Sequence, residues 1–205
     1  VIVKAERMRA SEGFEIDGVR RPLLAGRDDD AVSIFAEHGL TDRLTLQVRA
    51  EFQRGDDTFA DYEGNGPTEI GLRYQVLYSR RTTVSLYGAY ARAGEGRNAG
   101  YAAPGAGDHD WEVRLLAGHS GSYAWLGRRD AFAEVQIARR IRDGLADEDH
   151  LDVTLGVHLN DDWMLLSQIY AGRTVEGPAV RWVNSESSIV RRWGDWSLQG
   201  GGRQA

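Results

Sequence analysis

The sequence predicts an all-β fold: a single domain over residues 1–205 forming an antiparallel, up-and-down β-barrel of the transmembrane type. Three observations carry this. First, Leu44–Phe52 places Leu44, Leu46, Val48, Ala50 and Phe52 on one parity and Thr45, Gln47, Arg49 and Glu51 on the other. Glu69–Tyr78 repeats the pattern, with Ile70, Leu72, Tyr74, Val76 and Tyr78 opposite Glu69, Gly71, Arg73, Gln75 and Leu77. Successive strand side chains point to opposite faces, so each segment has one apolar face and one that carries both signs of charge. Second, short turns near positions 41, 80, 161 and 194 alternate with longer polar connections. That asymmetry belongs to outer-membrane barrels. Third, 25 glycines, 4 prolines and a mean hydropathy of −0.46 suit many strands and turns. No apolar run approaches the roughly 18 residues of a membrane helix, and a barrel that is hydrophobic only at alternate positions can average as polar.

Val1–Met8 reads as the first strand, followed by a long polar loop, Ala10–Asp30, that ends in Asp28-Asp29-Asp30. The second strand, Val32–Leu40, sets Val32, Ile34 and Ala36 against Ser33, Phe35 and Glu37. Leu40-Thr41-Asp42-Arg43 turns into the third, Leu44–Arg54, and the loop Gly55–Pro67 leads to the fourth, Glu69–Tyr78. Ser79-Arg80-Arg81 turns into the fifth, Val84–Tyr90, and a Gly/Ala-rich connection, Ala93–Asp108, leads to the sixth, Trp111–Ser120. A broader turn around Tyr123–Arg129 precedes the seventh, Ala131–Ile141, and the charged loop Arg142–His150 precedes the eighth, Leu151–Leu159. Asn160-Asp161-Asp162 is a hairpin signal. The ninth strand is Trp163–Arg173, the tenth Ala179–Arg191, and Gly194-Asp195 turns into the eleventh, Trp196–Gln204.

Bacterial single-chain barrels usually have an even strand number. An open edge in lipid leaves backbone groups unsatisfied. Twelve strands are therefore expected, the last lying after Ala205; ten is the alternative, if the first or tenth segment is not a spanning strand. The absence of cysteine excludes disulfides and thiolate sites. A net charge of −6 speaks against general nucleic-acid binding.

Aromatic residues gather where apolar runs end. Tyr78, Trp163, Trp193 and Trp196 lie beside short turns, and Tyr90 and Trp111 beside long loops. Amphipathic rings favour a membrane–water interface. On the apolar parity, strands end towards the long loops in arginine: Arg54, Arg92, Arg139, Arg173 and, in the tenth, Arg181. These are the expected collar for lipopolysaccharide phosphates, because guanidinium groups fork onto phosphate. The polar parity, expected to line a lumen, holds Glu37, Arg49, Glu51, Glu69, Arg73, Glu112, Arg114, Glu134, Asp152 and Glu186. Alternation does not by itself separate this barrel from a soluble one, which turns the same apolar parity inward.

Gly39-Leu-Thr-Asp-Arg-Leu-Thr-Leu46 and Gly66-Pro-Thr-Glu-Ile-Gly-Leu-Arg-Tyr74 resemble the turn-and-strand pattern of Gram-negative outer-membrane barrels grouped with the MetA-type transporters of phenol degradation. The resemblance implies an outer-membrane location and a final strand ending in an aromatic residue, and it transfers no catalytic residue. Catalysis is not expected: His119 and Ser120 are adjacent and so face opposite ways, and His158 meets Ser167 or Gln168 only by register. Asp28–Asp30, Asp108–Asp110 and Asp147–His150 lack any metal-site spacing and read as solvated acidic loops, so no cofactor is expected. The expected function is a narrow diffusion channel for small polar solutes. The alternative is a plugged scaffold whose long loops hold another envelope protein or lipopolysaccharide.

Overall fold

A computed structural model describes residues 1–14, 19–56, 61–94, 96, 107–127, 129–176 and 180–204. Its strands are β1 (Ile2–Phe14), β2 (Arg20–Gly39), β3 (Leu44–Asp56), β4 (Asp61–Tyr78), β5 (Thr82–Arg92), β6 (His109–Tyr123), β7 (Arg129–Arg142), β8 (Glu148–His158), β9 (Trp163–Thr174), β10 (Arg181–Trp193) and β11 (Trp196–Gln204). All eleven lie in one sheet in chain order, each bonded to its sequence neighbour. The first and tenth segments are therefore both strands, and the ten-strand alternative does not describe the chain. Among the described residues no pairing joins β1 to β11. The one described helical piece is the short turn Ala124–Leu126, and no helix is long and apolar enough to cross a membrane.

Three of the short turns use one device. The Thr41 hydroxyl accepts from the Arg43 and Leu44 amides (3.3 and 3.0 Å), and Ser79 accepts from Arg81 and Thr82 (3.4 and 3.0 Å). The Asn160 amide oxygen accepts from Asp162 and Trp163 (3.0 and 2.9 Å). A short polar side chain thus replaces the ladder partner that the turning backbone loses. Gly194, with φ of 58°, supplies the left-handed residue of the β10–β11 turn.

Two expected loops are not loops. Most of Ala10–Asp30 belongs to β1 and β2, which pair to Arg20, and Gly55–Pro67 is shared between the ends of β3 and β4 outside residues 57–60. Cross-strand charges hold these extensions where apolar side chains are few. Arg9 donates to Asp28 (3.3 Å), Arg20 pairs with Glu12 (2.9 Å) and Arg54 donates to Asp30 (2.9 Å). The ladder shifts register between Ala10, paired with Arg27, and Glu12, paired with Pro22, so one residue of β1 spans four of β2. Similarly, Glu148, Asp149 and His150, expected in a loop, open β8. Most of Ala93–Asp108 lies outside the described residues.

Contacts group the chain into two compact units. One comprises residues 1–73, 88–111 and 141–146; the other comprises 74–87, 112–140 and 147–205.

Burial alternates along the strands, but with the polarity of a water-soluble protein reversed. The exposed parity is apolar: Val32 and Ile34 on β2, Ile70, Leu72, Tyr74 and Val76 on β4, Trp111, Val113 and Leu115 on β6, Val135 and Ile137 on β7, Leu165 and Ile169 on β9. The buried described residues are mostly polar, including Ser85, Asp110, Glu112, Glu148, Asn184, Glu186 and Ser188; the apolar ones are Tyr87 and the small Ala89, Ala91 and Ala138. A soluble protein exposes apolar residues singly, not as the majority parity of a sheet.

Candidate functional site

The shielded face of the sheet is the candidate site. All ten residues expected to line a lumen fall on the parity opposite the exposed apolar one. In the first unit the charges pair locally. Arg73 lies 3.2 Å from Glu37, which also accepts from Gln47 (2.6 Å), and Arg49 donates to Glu51 (3.1 Å). Glu69 is half-buried on the same parity.

In the second unit strand register stacks the shielded side chains into tiers. Gln136, Asp152, Tyr170 and Asn184 stand directly opposite one another across β7 to β10. On the turn side, the next tier is Glu134, Thr154, Gln168, Glu186 and Arg203 across β7 to β11. Arg114 binds the first tier together: its guanidinium donates to Asp152 (2.6 Å), to Gln136 (2.5 Å) and to Glu112 on its own strand (2.8 Å). Glu112 also accepts from Arg140 (2.9 Å), and Gln136 donates to Glu134. A buried guanidinium demands this arrangement, because it brings five donors and a charge out of water and must find acceptors for both.

Towards the loop side, His150 lies 3.0 Å from the fully buried Glu148 and meets the Trp182 ring edge-on at 5.6 Å. Two aromatic rings pack over glycines of the facing strand. A Cβ on Gly172 would stand 2.1 Å from the Trp182 ring, and one on Gly156 2.1 Å from the Phe132 ring, so only glycine admits these rings against the sheet.

Sequence reasoning brought Glu112, Arg114 and Asp152 onto one face, and the structure joins them. It missed Arg140, Gln136, Glu148 and His150. Arg140 continues the parity of Phe132 to Ala138, and Glu148 and His150 continue that of Asp152 backwards, a signal hidden by the acidic run around them.

The five collar arginines lie on the apolar parity, and three of them are bonded to aspartates. Arg54 donates to Asp30 (2.9 Å), Arg139 to Asp149 and Asp147 (3.1 Å each), and Arg173 to Asp149 (3.0 Å); Arg92 and Arg181 are exposed. At the loop-side end of the apolar band the Tyr90 hydroxyl meets His109 Nδ1 at 2.6 Å, and the Tyr90 ring packs 5.0 Å from Trp111. At the turn-side end Trp193 and Trp196 face each other across the ladder, and Arg191 sits 5.4 Å over the Trp163 ring.

Beyond the apolar band, β2, β3 and β4 share a further network. Arg27 donates to Asp29 (2.6 Å), Tyr62 donates to the other oxygen of the same carboxylate, and Gly55 leaves the space that the Asp29 and Tyr62 side chains occupy. Burial and the neighbouring Asp29 anion push the Tyr62 hydroxyl up to about 12.

The register sets His158 opposite Met164 and Ser167 opposite Leu155, so His158 does not face Ser167, and His119 Nδ1 lies 3.0 Å from the Thr82 hydroxyl rather than meeting Ser120. No cluster of three or more metal-ligating side chains occurs among the described residues. In comparisons with known proteins, the chain matches no protein-family model and no curated protein.

Proposed function

We propose that this sheet closes into an outer-membrane β-barrel of a Gram-negative bacterium and forms a narrow diffusion path for small polar solutes. The reversed burial carries the reading: large apolar side chains occupy the exposed parity and charged ones the shielded parity. A soluble barrel built from the same alternation would bury the apolar parity instead. The apolar run Ile70 to Tyr78 on β4 also has a suitable height. Its nine residues at about 3.3 Å each extend about 30 Å, and a tilt of about 40° reduces this to about 23 Å, near the apolar band of roughly 25 Å in such barrels. In an up-and-down sheet β1 and β11 run in the same direction, so antiparallel closure takes one further strand between them. The shielded tiers would then line the lumen, where carboxylates outnumber arginines and so favour cationic solutes.

Planar-bilayer recording tests this: ohmic steps whose size changes in Glu134→Gln or Arg73→Gln are expected. A second reading is favoured by the Arg114 network, whose guanidinium links Glu112, Gln136 and Asp152 of three neighbouring strands across the shielded face. On that reading the barrel is a closed scaffold, and the strand extensions beyond the band hold lipopolysaccharide or another envelope protein. A silent barrel that is inserted and heat-modifiable would favour it.

A further inference from the structure

One cross-strand arrangement occurs twice on the apolar-bearing face. In the first unit Arg7 of β1, Asp30 of β2 and Arg54 of β3 stand directly opposite one another. In the second, Arg139 of β7, Asp149 of β8 and Arg173 of β9 do the same, and Arg181 of β10 extends the row. Each row sets one aspartate between two arginines. Arg54 donates to Asp30 at 2.9 Å, and Arg7 Nε lies 3.6 Å from its other oxygen; Arg139 and Arg173 donate to opposite oxygens of Asp149 at 3.1 and 3.0 Å. The arginines hold both carboxyl groups below the ordinary carboxylate range. Two guanidinium groups are thereby fixed side by side; Arg7 also lies 3.4 Å from Asp28 and Arg139 also donates to Asp147 (3.1 Å), so a second carboxylate shares each row, and in the second row Arg181 adds a third guanidinium. Each guanidinium has five N–H donors, and its aspartate partners take one or two of them, which leaves donors for a further anion. The adjoining row on the same face, one step towards the turns, is apolar: Val32 and Phe52 in the first case, Ile137, Leu151 and Ala171 in the second.

We infer that each Arg–Asp–Arg row docks a phosphomonoester of an outer-leaflet glycolipid, with the lipid's acyl chain lying on the apolar row beside it. The inference rests on the membrane reading and names the lipid contact it entails. A phosphomonoester offers three terminal oxygens to two adjacent forks, whereas a phosphodiester offers two, so the rows select the former. The aspartate is a positioning residue.

The test uses the whole protein in detergent, with bisphosphorylated lipid A, the same lipid after phosphatase treatment, and phosphatidylglycerol as probes in native mass spectrometry. The phosphorylated lipid is expected to bind about tenfold more tightly than either other probe. Arg139→Gln/Arg173→Gln and Arg7→Gln/Arg54→Gln should each lower that preference. Arg139→Lys/Arg173→Lys should not restore it, because lysine lacks the planar fork. Asp149→Asn, a milder change, makes the row more positive. Docking as described predicts that it loses preference for the phosphomonoester, and simple charge attraction predicts tighter binding of both anionic lipids. Equal binding of phosphorylated and dephosphorylated lipid A, or full retention by the glutamine variants, would overturn the inference. Lipid contact at Leu72 without phosphomonoester preference would overturn this inference alone, whereas loss of that contact would overturn the membrane reading as well.

Discussion

Arg114→Ala removes the group that ties β6, β7 and β8 together on the shielded face. It would strip a guanidinium from Glu112 (2.8 Å) and Asp152 (2.6 Å), whose side chains are 3% and 14% exposed. Removing one partner of a buried ion pair costs about 3–5 kcal/mol, mostly because the remaining charge stays desolvated. Glu112 keeps Arg140 at 2.8 Å, which places the expected loss near about 3 kcal/mol, the lower end of that range. Arg49→Ala is the internal reference, because Arg49 is 54% exposed and pairs with Glu51 at 3.1 Å. A pair of that kind contributes about 0.2–1 kcal/mol. Equilibrium urea unfolding in lipid vesicles, followed by tryptophan fluorescence, reads both losses. A cycle of Arg114→Ala with Asp152→Ala isolates their coupling, expected at about 1–3 kcal/mol. If Arg114→Ala cost no more than Arg49→Ala, water would be screening the network, and its description as a desolvated clasp would be wrong.

Gly156→Ala would force the Phe132 ring off the sheet, since the new Cβ would stand 2.1 Å from it, and the expected loss is about 1–3 kcal/mol in the same unfolding assay. Gly88→Ala, where nothing lies within 4 Å, should change little. Tyr62 should ionise near about 12, read as the difference in ultraviolet absorbance titrations between the parent and Tyr62→Phe. Because its folded value is raised, Tyr62 stabilises the fold fully below the ordinary tyrosine range, and this contribution fades as pH rises from about 10 towards 12. Ionisation at the ordinary value would refute the burial of the hydroxyl beside the Asp29 anion. Leu72→Arg should cost about 2–4 kcal/mol if its face meets lipid, and less than about 0.5 kcal/mol if it meets water.

The parity of the middle strands was legible because their period of two runs between apolar and polar residues without a break. Which parity is shielded was not, since a soluble and a membrane barrel share that period. The extensions of β1 to β4 were hidden for a different reason: their alternation sets charge against charge, as in Arg7, Arg9, Asp28 and Asp30, and so leaves no hydrophobic periodicity to detect. In β10 both parities are polar, with Ser185 and Ser187 on one and Asn184, Glu186 and Ser188 on the other. Its faces are set by register with β9 and β11, which is a tertiary property. Glu112, Arg114 and Asp152 were legible as one face, but their joining depends on which strands are neighbours and at what height.

Cysteine is absent from the sequence, so single labels enter without background. Nitroxide labels at Leu72→Cys, Val135→Cys and Ile169→Cys on the exposed parity, and at Arg73→Cys, Gln136→Cys and Gln168→Cys on the shielded one, test the central claim by their collision rates in vesicles. Molecular oxygen, enriched in lipid, should relax the first three strongly and a water-soluble nickel chelate should not; the second three should respond much less to oxygen. If the nickel chelate reached Leu72, Val135 and Ile169 freely, the exposed apolar face would not be a lipid face, and the account built on it would fail.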